Sequence, residues 1–338
     1  MKAIMLRKTG GPEVLKVTEV PEPEPGPGQV RVQVHYTAIN YADILSRKGL
    51  YQWAVKRPYI LGLEAAGVID AVGEGVDLAR VGETVIVGAQ NGCYAEKVVV
   101  PSIQAIPAIE GYSLEENAAF LVNYMTAYVA MVPLARLQSG EKVLISAAAG
   151  GVGTAAVQIG AHLDCPVYGL AGNAEKIAFV KKLGAAEAFN YREPNWHEQV
   201  REATGGVDYV LEVVGGEVFR RCIDLLNPFG RLVVVGFASL NLKKWNPYTW
   251  WKTWRDMPRP PLLKMSERSL GVMATHLGYL LADPPRLIKA LEELRQFVTG
   301  TDIRPVIGRI FPFEQAAEAH AFIESRQSIG KVLLKHNV

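Results

Sequence analysis

A run of small residues between an apolar strand pattern and an apolar helix pattern has the composition of a phosphate-binding loop. The strand is predicted over Lys142–Ser146, the loop is Ala147–Gly153 (AAAGGVG), and the helix pattern covers Gly151–Leu163. Small residues let the backbone approach a pyrophosphate, and the free amides and dipole of a helix N-terminus stabilise its charge. The alternative is a packing turn without a ligand. We predict a dinucleotide site with loop contacts from Ala148, Gly150, Gly151, Val152 and Gly153.

The loop departs from the pattern G-x-G-x-x-G only at Ala148, which stands in place of the first glycine. A larger departure follows, because NAD sites have an acidic residue roughly 20 residues later that binds the ribose hydroxyls. That position falls on Ala171–Gly172, and no acid is present. A carboxylate there would repel a 2′-phosphate, so its absence favours NADPH. Asn173 is predicted to cap the next helix, and Lys176 lies in its first turn, either as a phosphate ligand or as a solvated surface lysine.

The elements around this loop alternate, which predicts βαβ units and a doubly wound parallel α/β sheet. The first hundred residues instead favour β-structure, with strands at Val30–Val34, Ala66–Val72 and Tyr94–Val100. Ser113 and Glu116 form a capping-box signature before an apolar helix. After residue 150 the predicted strands are Pro166–Leu170, Glu187–Asn190, Val207–Val213, Arg231–Gly236, a piece after Ser269, and Gly330–Lys335. The predicted helices are Ala174–Leu183, 195–203, 216–226, Pro285–Thr299 and 314–325.

Composition is that of a globular protein. The chain has 338 residues, of which 49% are hydrophobic and 21% charged, and a net charge of +2 argues against a general nucleic-acid binder. The apolar stretch Ala118–Ala135 carries several polar residues and Pro133, so a buried helix is favoured over a membrane span. The three cysteines lack metal or disulfide spacing, and with no secretory signal at the N-terminus we expect a cytoplasmic protein.

Several stretches resemble, in order along the chain, the zinc-independent quinone oxidoreductases (zeta-crystallin type) of the medium-chain dehydrogenase/reductase superfamily. The stretches are GPEVL (11–15), INYAD (39–43), GLY (49–51), GLEAAG (62–67), Ala147–Gly153, NYR (190–192), ESR (324–326) and GK (330–331). The resemblance implies a GroES-like β-rich catalytic domain over 1–123 and 273–338, and a Rossmann NADPH-binding domain over 124–272. It also implies that Lys176, Tyr191 and Arg326 bind the 2′-phosphate.

The resemblance also supplies the remaining site residues. Asn40, Tyr51 and Thr126 match positions that line the nicotinamide and substrate cleft. Further cofactor contacts are predicted at Gly172, Asn173, Val214, Gly236 and Phe237. Zinc-dependent members have a cysteine where this chain has Asn40 and a Gly-His-Glu where it has Gly62-Leu63-Glu64, and amide and leucine side chains are poor zinc ligands. We therefore predict no metal, with Glu64 as a supporting carboxylate.

Without zinc, a conjugated acceptor such as a quinone or an α,β-unsaturated carbonyl is the best hydride acceptor, because conjugation spreads the developing charge. Asn40, Tyr51 and Asn123 are predicted to hydrogen-bond the developing oxyanion. Asp43 and Arg47 lie near the same loop, and a structural ion pair or turn anchor is the favoured interpretation. The predicted function is an NADPH-dependent quinone or enone reductase.

An aromatic and basic segment at 240–268 is longer than a βα connection requires. It contains Trp245, Trp250, Trp251 and Trp254, and it resembles the vesicle-membrane VAT-1-like branch of the same superfamily. Subunit packing, a wall of the substrate cleft and a membrane surface all remain open. The alternative function is therefore a VAT-1-like nucleotide-binding protein that acts at membranes or on lipids. The strand at Ser269–Met273 is expected to pair with its mate in a homodimer.

Overall fold

The computed structural model describes residues 1–236, 249, 251, 254, 255, 257 and 259–337. The strands are β1 Lys2–Leu6, β2 Val17–Glu19, β3 Gln29–Ile39, β4 Tyr59–Ile60, β5 Glu64–Val72, β6 Thr84–Gly88, β7 Lys97–Pro101, β8 Ala105–Pro107, β9 Val143–Ile145, β10 Val167–Ala171, β11 Glu187–Asn190, β12 Val207–Glu212, β13 Leu226–Val234, β14 Gly271–Ala274, β15 Ile307–Pro312 and β16 Lys331–Lys335. The α-helices are α1 Tyr41–Lys48, α2 Leu114–Val129, α3 Gly151–His162, α4 Ala174–Lys182, α5 Trp196–Thr204, α6 Gly216–Leu225, α7 Leu262–Ser266, α8 Leu277–Leu280, α9 Pro284–Val298 and α10 Ala316–Glu324.

The chain forms two compact units. The first contains Met1–Val122 and Arg295–Val338, and the second contains Asn123–Leu294. The family resemblance predicts a second domain boundary between residues 272 and 273. The second unit continues to Leu294 and keeps β14, because this strand pairs in parallel with β13, from Arg231↔Gly271 to Val234↔Ala274.

The first unit is built on a β-sheet with the strand order β15-β16-β3-β5-β6-β8, and β7 also pairs with β3. Its long strand β3 alternates as predicted, with Val30, Val32 and Val34 fully buried. They pack in a core with Ile69, Val85 and other apolar side chains of the sheet. A smaller sheet, in the order β2-β1-β4, accompanies it. The β-rich architecture expected of this unit is confirmed.

The second unit is a six-stranded parallel sheet with the order β11-β10-β9-β12-β13-β14. The chain starts at β9, moves outward to β11, and then returns to β12 on the other side of β9. Helices α3 to α6 connect successive strands, as the alternating pattern predicted. This is the doubly wound Rossmann order, in which ligands bind outside the carboxyl ends of the strands where the order reverses. That point lies between β9 and β12.

The capping box before α2 is confirmed. The Ser113 hydroxyl accepts from the amide of Glu116, and the Glu116 carboxylate accepts from the amide of Ser113. Within the described residues, Leu114–Leu134 is the helical stretch that is long and apolar enough to cross a membrane, and 67% of its most apolar window is buried. Core helices of soluble proteins pass the same test, so this is weak evidence for a membrane span.

Two local expectations in the first unit were wrong. The strand expected over Tyr94–Val100 begins only at Lys97, and Ala95 makes an isolated bridge to Ala3 instead. The β-rich interpretation of the first hundred residues also missed helix α1. Its sequence, YADILSRK, buries Asp43 and Arg47, so polar residues interrupt the apolar period by which an amphipathic helix is recognised.

Candidate functional site

The loop from β9 to α3 has the backbone of a phosphate cradle. Ala147 is in the left-handed region at φ 48°, and Gly150 follows in an extended conformation as the N-cap of α3. The helix begins when the amide of Thr154 bonds the carbonyl of Gly150 at 2.8 Å. The first amides of an α-helix have no partner within it, so those of Gly151, Val152 and Gly153 are available to an anion.

Glycine is required at one position of this loop, and a second glycine is closely packed against a side chain. A Cβ on Gly153 would lie 2.7 Å from the Cα of Ala148, so only glycine permits this approach of the helix to the loop. A Cβ on Gly151 would lie 2.6 Å from Nδ2 of Asn123. The buried side chain of Asn123 is thus packed against the start of α3. Thr126 lies one turn further along α2 and is half-buried.

The end of β10 has the features expected of a 2′-phosphate site. The Asn173 side chain accepts from the amide of Lys176 at 2.9 Å and caps α4, as predicted. A Cβ on Gly172 would lie 3.1 Å from Oη of Tyr191 and 3.3 Å from Nε of Arg192. Burial, and next the charge of Arg192, lower the pKa of Lys176. Tyr191 and Arg192 therefore lie against Gly172, and the Arg192 charge reaches Lys176. Arg192 is a cation that was not predicted from the sequence as a site residue.

A buried acid that the sequence analysis missed organises the loop after β12. The Glu212 carboxylate is fully buried and accepts from the amides of Val214 and Gly215 at 2.8 and 2.9 Å, and from the Ser146 hydroxyl at 3.3 Å. Ser146 in turn accepts from the amide of Val213. Burial raises the pKa of Glu212, while these donors oppose the rise. The sequence did contain a signal for this role, because Glu212 is an acid at the end of an apolar strand that borders the reversal point.

Two of the other predicted cofactor positions follow the carboxyl ends of β12 and β13. Val214 lies in the loop that Glu212 holds, and Gly236 follows β13, where a Cβ would lie 3.4 Å from the carbonyl oxygen of Val213. Gly236 therefore lies close to the residue that precedes Val214. Phe237 lies outside the described residues, as do Trp245 and Trp250.

In the first unit, Asn40 is held by two buried charged residues. Glu64 is 0% and Lys331 3% exposed, and they form an ion pair. The Lys331 ammonium donates to Oδ1 of Asn40 at 2.7 Å, and Nδ2 of Asn40 donates to Glu64 at 3.0 Å. Because an ammonium only donates, its partner atom must be the amide oxygen, so the orientation of the Asn40 amide is determined. The second oxygen of Glu64 accepts from the amide of Val122 at 2.8 Å.

Asp43 and Arg47 have separate structural partners. The Asp43 carboxylate accepts from the amide of Asn40 at 2.8 Å, one turn into α1. Burial raises the pKa of Asp43 to about 7, against the opposing effects of backbone donors and Lys331. Arg47 is fully buried and pairs with Glu324, which also binds Lys48. The predicted structural role is thus carried out through different partners rather than by an Asp43–Arg47 pair.

Two further predicted residues lie on loops of this unit. Tyr51 follows α1, is half-buried and packs edge-on against Trp53 at 6.4 Å. Arg326 follows α10 in the left-handed region, at φ 60°, and is exposed. A non-glycine residue in this conformation is uncommon, and such positions concentrate at functional sites.

Comparisons with known proteins agree with this architecture. Residues 26–110 match the family model "Alcohol dehydrogenase GroES-like domain", and residues 151–275 match "Zinc-binding dehydrogenase". The human synaptic vesicle membrane protein VAT-1 homolog is 34% identical, with 99% of this chain and 86% of that protein aligned. The quinone oxidoreductase of Sus scrofa is 32% identical over 99% of this chain and 97% of its own length. This chain belongs to the medium-chain dehydrogenase/reductase superfamily.

Some proteins of this superfamily have been solved with a bound cofactor. The quinone oxidoreductase of Thermus thermophilus, solved alone and with NADPH, is 36% identical, with a TM-score of 0.81 and coverage of 99% and 100% of the two chains. The present chain is an oxidoreductase of this superfamily, and NADP is the cofactor its structural relatives support. Its own cradle fits such a group, because the α3 amides, the glycines and the cations beside Gly172 meet the needs of a phosphorylated dinucleotide.

The side chains support a metal site less well than they support a dinucleotide site. Among the described residues, no group of three or more His, Cys, Asp and Glu is close enough to hold a metal ion. The oxygen Oε1 of Glu64 is already bonded by Asn40 and by the Lys331 ammonium. A second cation on that carboxylate would have to displace or repel the ammonium.

Proposed function

We propose that this protein is an NADPH-dependent reductase that transfers hydride to quinones or related α,β-unsaturated carbonyls without using zinc. The observation that carries the proposal is the end of β10, where Gly172 replaces an acid and Tyr191, Lys176 and Arg192 lie close by. The named activities of the quinone oxidoreductase relatives support the acceptor class. The Lys331 contact to Glu64 supports zinc independence.

The residues of this chain would bind the cofactor and the acceptor and orient them for hydride transfer. The amides of Gly151, Val152 and Gly153 would hold the pyrophosphate, while Glu212 keeps the loop at Val214 in place. NADPH, when bound, would supply the hydride. The oxygen of Asn40 accepts from Lys331 and its Nδ2 donates to Glu64, so a developing oxyanion would have to use the second N–H of Nδ2, whose contact to the carbonyl oxygen of Ala38 is long at 3.5 Å. Tyr51 and Asn123 remain the other proposed donors, and Arg326 remains a proposed phosphate ligand.

The test mixes the purified protein with NADPH and a panel of quinones and enones and follows nicotinamide absorbance. We expect turnover with at least one conjugated acceptor and a higher kcat/KM for NADPH than for NADH. Lys176→Ala should narrow that preference. Absence of turnover with every acceptor would contradict the reductase proposal. Added zinc or a chelator should leave the rate unchanged, and inhibition by the chelator would contradict zinc independence.

A second candidate function, binding at a membrane surface, is supported by an exposed apolar and basic group in the second unit. Trp254, Leu262 and Leu263 are 61%, 74% and 85% exposed, and the Arg259 guanidinium lies 3.9 Å from the Trp254 ring centre. The VAT-1 homologs among the relatives carry membrane in their name. Aromatic and leucine side chains with nearby cations are typical of interfacial binding.

Co-sedimentation with vesicles of neutral and of anionic phospholipid tests this second function. Membrane binding predicts that the wild type sediments with anionic vesicles and that Leu262→Ser with Leu263→Ser reduces the bound fraction. The matched control is Leu78→Ser, which removes a leucine that is 78% exposed in the first unit. Absent binding, or equal loss in the control, would remove this candidate and leave the reductase proposal as it stands.

A further inference from the structure

The side chain of Arg192 lies near the end of β10, although Arg192 itself follows the neighbouring strand β11 in the sequence. Strands β10 and β11 pair in parallel with Ala171 opposite Asn190, so the residues that follow each strand are neighbours. The backbone amide of Arg192 bonds the Asn190 side chain at 3.1 Å, which fixes the turn after β11. Its Nε then lies 3.3 Å from the position of a Cβ on Gly172.

Arg192 therefore lies where an NAD site has an acid, and a second cation, Lys176, is close enough for its pKa to respond to the Arg192 charge. The charge of Arg192 contributes to the lowered pKa of Lys176, second only to burial, and Glu175 opposes it. Holding two like charges together costs free energy unless an anion binds between them. A phosphate monoester carries close to two negative charges at neutral pH. A guanidinium is suited to it because two parallel N–H groups can bond two phosphate oxygens.

We propose that Arg192 is a specificity-determining residue that binds the 2′-phosphate of NADPH beside Lys176 and Tyr191. This inference rests on the proposed NADPH site and adds to it a ligand that the resemblance did not imply. Gly172 has a matching role. A carboxylate side chain at that position would stand against Nε of Arg192 and Oη of Tyr191, pair with the cation and exclude the phosphate.

The experiment measures dissociation constants of NADPH and NADH by nicotinamide fluorescence, with no acceptor present. The proteins are the full-length wild type, Arg192→Gln, Arg192→Lys and the control Arg220→Gln, which removes an equal charge from an exposed position of α6. Arg192→Gln is expected to weaken NADPH on the order of tenfold to a hundredfold, the usual effect of losing hydrogen bonds to a charged group. NADH should change less than about twofold, because it lacks the 2′-phosphate.

Two further comparisons sharpen the result. Arg192→Lys keeps the charge but loses the paired N–H geometry, so its NADPH affinity should lie between those of the wild type and Arg192→Gln. Gly172→Asp should lower NADPH affinity and leave NADH bound at least as well as in the wild type. Because Arg192 is exposed, loss of folding is not expected, and equal melting temperatures confirm it.

The outcomes separate this inference from the proposed function. NADPH affinity unchanged in Arg192→Gln, or reduced equally in Arg220→Gln, overturns the role of Arg192 while NADPH preference and reductase activity stand. A wild type that binds NADH as well as NADPH overturns both the cofactor proposal and this inference. A clear Arg192 effect without turnover of any acceptor supports the inference and overturns the reductase proposal alone.

Discussion

Lys331 and Glu64 carry opposite charges in a place that water does not reach. The two residues are 267 positions apart in sequence, and the Asn40 side chain hydrogen-bonds both of them. Removing one partner of such a pair leaves an uncompensated buried charge, whereas in the intact pair the mutual attraction offsets part of the desolvation cost. Asn40 and Leu63 are the departures from a zinc site that the sequence shows, and Glu64 is predicted as a supporting carboxylate. Lys331 could not be predicted as the partner of Asn40 and Glu64, because no local spacing indicates which distant side chain fills the space.

Lys331→Met is expected to lower the free energy of unfolding by about 3–5 kcal/mol, since the Glu64 charge would remain buried alone. Urea unfolding measures the change. The double variant Lys331→Met with Glu64→Gln should be more stable than the single one. The surface pair Lys181–Glu187 is the control, because Lys181→Met should cost less than about 1 kcal/mol. Equal costs at the two sites would contradict a buried, coupled pair.

Asp43 gives the protein a dependence of stability on pH. Its pKa is raised to about 7 in the folded state, so the native protein holds this proton more tightly than the unfolded chain does. The contribution to stability is complete below the unfolded pKa of roughly 4 and is lost as pH rises through 7. Asp43→Asn keeps an acceptor for the Asn40 amide but cannot ionise.

The free energy of unfolding of Asp43→Asn, relative to wild type, is therefore expected to rise by a few kcal/mol between pH 4 and 7 and to be constant above. Chemical denaturation at intervals across that range provides the measurement. A difference between the two proteins that does not vary with pH would show that Asp43 is ionised throughout.

At the scale of elements, the parallel unit was the more predictable part. Alternating apolar strands and helices between Val143 and Val234 follow the expected order, because each strand is buried on both faces and each helix on one. The first unit was harder. The two-residue strand β4 is defined by its pairing with the distant β1, and the apolar pattern of helix α1 is interrupted by buried polar side chains.

The site shows the same division. The phosphate loop was predicted from its own residues, since small side chains before a helix have a direct physical meaning. Arg192 was not, because its function arises from the parallel pairing of β10 with β11. Glu212 was also missed, although its position at the end of an apolar strand was visible.

The contact between α3 and the loop before it predicts a strict need for glycine. In Gly153→Ala the added methyl would meet backbone atoms of Ala147 and Ala148, which cannot move away as a side-chain end can. We expect unfolding free energy to fall by about 1–3 kcal/mol, as in overpacked sites, and NADPH binding to weaken.

Gly271→Ala is the matched control, since the nearest atom to its new methyl would be Cγ of Arg231 at an ordinary 3.7 Å. Thermal unfolding with and without NADPH measures both effects. Similar behaviour of the two variants would show that the loop can adjust.

For the whole molecule, β14 lies at the end of the strand order in the second unit. An uncovered strand edge presents backbone donors and acceptors that favour pairing with another chain. We therefore predict a homodimer, and light scattering after size-exclusion chromatography should give twice the 36.9 kDa of one chain. A particle with the mass of one chain at micromolar concentration would contradict this prediction.

The strand order of the first unit has a consequence for synthesis. β16 lies between β15 and β3, and its residues Val332 to Lys335 pair with Ile39 to Tyr36. The part of this β3 edge from Tyr36 to Ile39 thus stays unpaired in the nascent chain until nearly three hundred further residues have been translated, whereas β7 pairs with the part from Gln29 to Gln33 much earlier. The parallel sheet, by contrast, is contiguous in sequence and can fold as soon as it emerges from the ribosome. The unit whose translation begins first is therefore completed last. The Lys331 ammonium that neutralises Glu64 belongs to β16, the last strand of that unit to be translated.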